Sequence, residues 1–161
     1  LIISPNDIEI LIRKGKSCEA LGKTEHAIEC FNHILSIQPS NVDALRSKAI
    51  IFINQEKYED AMTNLDQILL TNPTDFDVMY FKGIVLEQQG QHAQAVNYYL
   101  KSLKITSNDT SVLQSISLHI VHLLGKEHAV PIFKSLIESD PNDILAQNGL
   151  KIFSTNPIYD Y

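Results

Sequence analysis

The sequence predicts an all-α fold built as a tandem array of antiparallel helix pairs, and three observations carry that expectation. First, Ala27, Ala61, Ala95 and Ala129 recur at a step of 34, and each stands four residues before a bulky side chain: Phe31, Leu65, Tyr99 or Phe133. Further columns keep the same step: Ile28, Met62, Val96 and Val130; Leu35, Leu69, Leu103 and Ile137; Gly15, Ala49, Gly83 and Ser117. Agreement of so many columns at one period marks a repeat architecture rather than chance. Second, apolar residues within each unit fall at i, i+3 or i+4, as in Leu11, Gly15 and Cys18 or Ala27, Phe31 and Leu35, the spacing of one helical face. Third, helix-breaking residues come at matching places in each unit.

The elements follow in order. Helices are expected over 8–21 and 24–37, separated at Gly22, and then "QPSN" closes the unit. Proline discourages continuation of the helix before it, and the Asn after it can cap the next one. The second unit places helices at 41–54 and 58–71, broken at Gln55 to Lys57 and closed by "NPTD". The third places them at 75–88 and 92–105, broken at Gly90, with Ser107 where the other units have Pro39, Pro73 and Pro141. The fourth gives 109–123 and 126–138 around Gly125, closed by "DPND". Pro131 falls past the first turn of its helix, so a small kink or a later start is expected. A last helix over 142–153 has no partner and reads as a cap, with Ile144, Leu145 and Leu150 toward the fourth unit and Asn142, Gln147 and Lys151 toward water. The small residues have a packing reason: where two helices cross closely, Gly15 leaves room for Ala27 and Phe31.

Composition narrows the function. The chain has 161 residues, 44% hydrophobic and 20% charged, which is the make-up of an ordinary folded chain rather than a disordered one. Apolar runs such as Ala49 to Ile53 fall far short of the ~20 residues of a membrane span, so no membrane insertion is expected. A net charge of -6 without any basic run argues against nucleic acid as a partner. Two cysteines are too few for a disulfide framework and fit a reducing compartment, so the expected localisation is cytoplasmic. The start at Leu1 reads as that of a fragment.

Several stretches tempt a chemical reading. Gly22-Lys23-Thr24 ends like a phosphate loop, but Ser17 stands where the motif needs its first Gly, and the segment before it is helical. His26, Cys30 and His33 share one helix stripe, yet His128 occupies the same repeat position as His26 with Ile132 and Ser135 in place of the other two. Cys18 falls in a column with Phe52, Leu86 and Ile120, the company of a small hydrophobe. His119 and His122 form a second weak pair, with no carboxylate or thiol at useful sequence spacing. No nucleophile elbow or zinc-protease constellation occurs. The expectation is therefore no enzyme activity, no metal and no cofactor. Asn108-Asp109-Thr110 matches a glycosylation acceptor, which matters only in a secreted chain.

The unit resembles the tetratricopeptide repeat, with 34 residues, two helices, a small residue early in the first helix, Ala then an aromatic in the second, and Pro near the end. The resemblance covers four repeats, about 8–41, 42–75, 76–109 and 110–143, with a capping helix and tail over 144–161, all in one domain spanning 1–161. It implies a right-handed α-solenoid of antiparallel helix pairs. The chain departs from the family pattern in two columns. Ile34, Ile68 and Leu136 replace a small residue, and Lys14, Lys48 and Lys82 replace Leu, which predicts stems over the core and charges lifted to water.

By the same resemblance, the first helices line a concave wall that holds a peptide or helix of another protein. The matching positions give Ile12, Lys16, Arg46, Ile50, Ile53, Tyr80, Phe81, Ile84, Leu118, Val121 and His122, flanked by charged residues such as Glu9, Arg13, Asp43, Asp77 and Glu87. The middle of this wall is apolar, consistent with a partner-filled surface or with packing between repeats. Chaperone-adaptor relatives bind a C-terminal carboxylate through Lys, Asn, Asn, Lys and Arg. The positions here are Ile12, Lys16, Ser47, Asp77 and Phe81, so no such clamp is expected. The leading expectation is a protein-protein interaction scaffold binding a peptide or helix in its groove. Two alternatives stand beside it: a regulatory or substrate-docking segment of a larger enzyme, and a self-associating module forming a homo-oligomer.

Overall fold

The computed structural model describes residues 7–105, 110–140, 146–147 and 149–151. Eight helices are bounded among the described residues: α1 (Ile8–Ala20), α2 (Thr24–Ile37), α3 (Val42–Asn54), α4 (Tyr58–Thr71), α5 (Phe76–Gln88), α6 (His92–Ile105), α7 (Thr110–Leu124) and α8 (Lys126–Ser139). Helical backbone recurs at 146–147 and 149–151, inside the span expected for the cap. No strand occurs among the described residues, and the fold class is all-α with the expected helix pairs. Ser107, Pro141, Asn142, Ile144, Leu145 and the Asn108-Asp109 part of the acceptor triplet lie outside the described residues.

The chain divides into two compact units, one ending at Phe81 and the other beginning at Lys82, so the boundary falls within α5. In the first unit, Leu11, Ala27, Phe31, Ile34, Ala44 and Ile51 form one core cluster, and Leu45, Ala49, Leu65, Ile68 and Val78 form the next. Ile34 and Ile68, the bulky replacements of a small family residue, are thus core side chains. The second unit buries Ala95, Tyr99, Ala129 and Phe133 in the same repeat columns, and it buries Ile116 and Ile120 as well. Ala146 is buried there, and a Cβ on Gly149 would run into the Phe133 ring, so the described part of the cap packs on α8 as expected.

Glycine at position 15 has a steric cause. A Cβ there would lie 2.7 Å from the Phe31 ring, far inside van der Waals contact, so α1 and α2 approach only because that atom is missing. The turns within pairs are equally explicit. Lys23, Lys57 and Gln91 each donate a backbone N–H to the carbonyl five residues back, at Cys18, Phe52 and Leu86, all at 2.8 Å. Together with the bonds that Gly22, Glu56 and Gly90 donate to the carbonyl three residues back, this is the helix-ending motif that requires a left-handed residue between the helices. Gly22 and Gly90 satisfy it at φ 69° and 73°, while Glu56 holds φ 58° without being glycine. The fourth pair is joined by Gly125 alone, one position later than the repeat column, and α8 starts there rather than later. It runs through Pro131, so the later helix start is not what forms.

Helix starts between units share a column as well. Asp7 accepts the N–H groups of Glu9 and Ile10, Asn41 accepts that of Ala44 at 3.0 Å, and Asp75 accepts that of Val78 at 3.1 Å. Each satisfies donors that the first helical turn leaves without partners.

The lysine column needs a correction. Lys14 is exposed and Lys48 half-buried, but Lys82 is only 5% exposed, with its Nζ 5.0 Å from the centre of the Tyr98 ring. Its charge is not lifted to water, because the ring face provides a favourable cation contact within the fold. Lys48 lies 5.9 Å over Phe52, and burial lowers its pKa, partly offset by the nearby Asp60.

Candidate partner-binding face

The expected face divides between the two units. In the first, α1 contributes Ile12 and Lys16, α3 contributes Arg46, Ile50 and Ile53, and the opening turns of α5 contribute Tyr80 and Phe81. Lys16 is exposed, and the six others are half-buried. Tyr80 and Phe81 form a tilted aromatic pair with ring centres 5.6 Å apart. Phe81 and Ile12 each reach a core cluster, so part of their apolar surface serves packing. Ile50, Ile53 and Tyr80 have no place in the two clusters, and they carry the exposed apolar character of this face.

Arg46 is not simply a face residue. Its guanidinium donates to Asp75 Oδ2 at 2.8 Å and lies 3.8 Å from Asp77, while Asp75 also accepts from Asn72 and caps α5. Asp75 is only 8% exposed, so its charge is stable there because it is paired and hydrogen-bonded. Asp77 stands differently: burial pushes its carboxyl above the ordinary range, Arg46 pulls it back, and Asp75 pushes it up again. Arg46 therefore fastens α3 to the start of α5 and is committed before any partner arrives.

In the second unit, Ile84 and Leu118 are half-buried and His122 is exposed, as a contact face allows. Val121 is only 3% exposed, so it belongs to the core rather than to an open face. Its column holds Ile53 in the second repeat, and α7 turns that position inward.

A polar junction also appears that sequence spacing did not suggest. The Glu87 carboxylate, 10% exposed, accepts the Tyr99 hydroxyl at 2.6 Å and lies 2.8 Å from His119 Nδ1 and 3.4 Å from His122 Nδ1. The His119 ring stacks on Tyr99 with centres 5.1 Å apart. One carboxylate thus joins α5, α6 and α7. The signal in the sequence is partial: Glu87 repeats Glu19 but stands where the adjacent repeats have Ile53 and Val121, His119 follows Ser17, Ile51 and Val85 in its column, and only Tyr99 among its equivalents carries a hydroxyl. The pairs lie 12 and 32 residues apart, so only the packed helices show that these departures meet.

Among the described residues no three His, Cys, Asp or Glu side chains are disposed to hold a metal ion, and no helix is long and apolar enough to cross a membrane. Cys30 is buried, and desolvation raises its thiol pKa, which suits a packed hydrophobe better than a ligand.

The pattern of a protein family described as AimR transcriptional regulator-like matches residues 18–117. No curated protein matches the sequence. Among solved structures, MamA from Desulfovibrio magneticus RS-1 superposes with a TM-score of 0.65 at 20% identity, over 85% of this chain and 77% of that one. MamA from AMB-1 gives 0.61 at 22% identity, over 88% and 78%. A further MamA structure gives 0.63 at 20% identity, over 94% and 78%. At these identities the likeness shows a shared helical-repeat fold.

Proposed function

Because this chain belongs to the AimR transcriptional regulator-like family, matched over residues 18–117, we infer that it is a non-catalytic protein-interaction scaffold that receives a peptide or helix of a partner on its first-helix face. The observation that supports this reading best is the set Ile50, Ile53 and Tyr80, half-buried apolar side chains on α3 and α5 that belong to neither core cluster. Apolar side chains left partly open to solvent are candidate contact sites in soluble proteins. The charged groups beside it favour an apolar or mixed partner over a strongly charged one. Arg46 is committed to Asp75, and Lys16 is the remaining cation of the proposed first-unit face. Helix-in-groove recognition fits such a surface.

The test is affinity capture with the wild-type chain and an Ile50→Asp/Tyr80→Asp chain side by side. The reading expects a partner retained by the first and lost by the second while circular dichroism stays helical. Equal capture by both would remove the face from consideration.

The family description favours a second reading, a regulatory segment within a transcriptional regulator. On that reading the chain supplies protein contacts rather than DNA contacts, since a net charge of -6 suits a phosphate backbone poorly. Electrophoretic mobility shift with random-sequence duplex checks that point: no retardation is expected from this chain, and retardation would contradict it.

A further inference from the structure

We propose that the groove between α6 and α8 is a second docking site, one that accepts an amphipathic helix of a protein partner. The groove lies within the second unit and encloses about 410 Å³, lined by Leu100, Lys101, Pro131, Ile132 and Leu136 together with the polar Asn97 and Ser135. It does not belong to the first-helix face, because every lining residue comes from the second helix of its pair.

Repeat arithmetic shows that its apolar character at Leu100, Pro131 and Ile132 is not a packing requirement. Four of its columns also line a first-unit groove that includes Leu35, Phe52 and Asp60, and there they are Asn32, Thr63, Asn64 and Gln67. Sixty-eight residues later, two repeat steps, those positions hold Leu100, Pro131, Ile132 and Ser135. At these four positions the repeat is therefore satisfied by polar side chains in the first unit. In the second it leaves Leu100 and Ile132 half-buried against open space and Pro131 exposed. Exposed apolar surface that the fold does not need is a mark of recognition.

Charge defines the occupant. Lys101 is the sole charged residue of the lining, its Nζ 5.0 Å from the Tyr98 ring, and α6 contains neither Asp nor Glu. On α8 the exposed Lys134 falls within the span of the lining, and the exposed Glu127 and Glu138 flank it at either end, about 16 Å apart at ~1.5 Å per residue. The complementary segment is a helix with apolar side chains at i, i+3, i+4 and i+7, a carboxylate near its middle and a cation toward each end. A phosphate-rich or uniformly basic partner would meet the wrong sign at one of these points.

The experiment uses the full chain and two synthetic fifteen-residue amphipathic helical peptides. One carries a central Glu with Lys near both ends, and its twin carries a central Lys with Glu near both ends. Isothermal titration calorimetry is expected to show the first binding about tenfold or more tightly than the second, with amide shifts confined to α6 and α8. Leu100→Asn/Ile132→Asn, which copies the first-unit groove, should abolish that binding with the melting temperature retained, and Lys101→Glu should narrow the preference between the twins. Tyr80→Asp should leave it unchanged, which separates this site from the first-helix face. Equal or absent binding of the twins would overturn the proposal, and so would binding indifferent to the Asn pair. Sedimentation showing a second copy of this chain in the groove would overturn it as well.

Discussion

Arg46 and Asp75 stand 29 residues apart in the chain and 2.8 Å apart in space, the guanidinium of one helix donating to the carboxylate that starts another. Two tasks meet in that carboxylate. It caps α5 through the Val78 N–H, and it gives a largely buried arginine its counter-charge. Asp75→Ala should therefore cost about 2–4 kcal/mol, the sum of a lost cap and a broken, partly desolvated ion pair. Asp75→Asn keeps a capping oxygen and should cost less. Urea unfolding of the wild type and both variants measures the difference.

The neighbouring carboxylate predicts the opposite sign. Burial pushes the Asp77 pKa up despite Arg46, so folded Asp77 holds its proton more tightly than unfolded Asp77 does. Between those two pKa values the folded state binds more protons, and stability falls as pH rises through the window just above the ordinary carboxylate range. Asp77→Asn is expected to be more stable than wild type at neutral pH and to lose that advantage below the window. Thermal melts across pH 3 to 8, a range chosen to span ordinary carboxylate titration, check it.

Tyr99→Phe isolates the polar junction. Phenylalanine occupies the same column at Phe31 and Phe133, so the ring itself is compatible with the repeat. What is lost is the 2.6 Å bond to the Glu87 carboxylate. A hydrogen bond to a buried charged group contributes about 1.5–3 kcal/mol, and a loss of that size is expected in denaturant titration. A Glu87→Gln background should shrink the effect, because the acceptor is then neutral.

Glu56 holds a left-handed backbone at φ 58°, where its counterparts are Gly22 and Gly90. A non-glycine residue in that region carries a cost of roughly 1–2 kcal/mol, and glycine's extra freedom in the unfolded chain gives part of it back. Glu56→Gly should raise stability by about 0.5–1 kcal/mol, read as an upward shift in melting temperature.

The helix pairs were legible in the sequence because one apolar period repeats through the chain, and helix ends fell within a residue or two of their expected places. Gly22 and Gly90 announced their turns. Glu56 did so only by position, since nothing in its chemistry asks for a left-handed backbone. The face was legible in outline, as columns transferred from one repeat to the next, but columns do not reveal which member turns inward. Val121 proved buried, Arg46 proved engaged by Asp75, and Lys82 found the Tyr98 ring instead of water. Each outcome depends on a partner from another helix, and such pairings exist only once the helices are packed. Glu87 with His119 is the extreme case, because each looked like an isolated irregularity until the other lay beside it.

The central claim is that the first-helix face of the first unit receives a protein partner, and photocrosslinking from that face tests it most directly. A benzophenone amino acid placed at Tyr80, compared with one at the exposed Leu70 on α4, reports what touches each surface in cell extract. The account predicts a discrete protein adduct from position 80 that is absent from position 70 and is suppressed by Ile50→Asp. Identical adducts from both positions, or none from position 80, would contradict it.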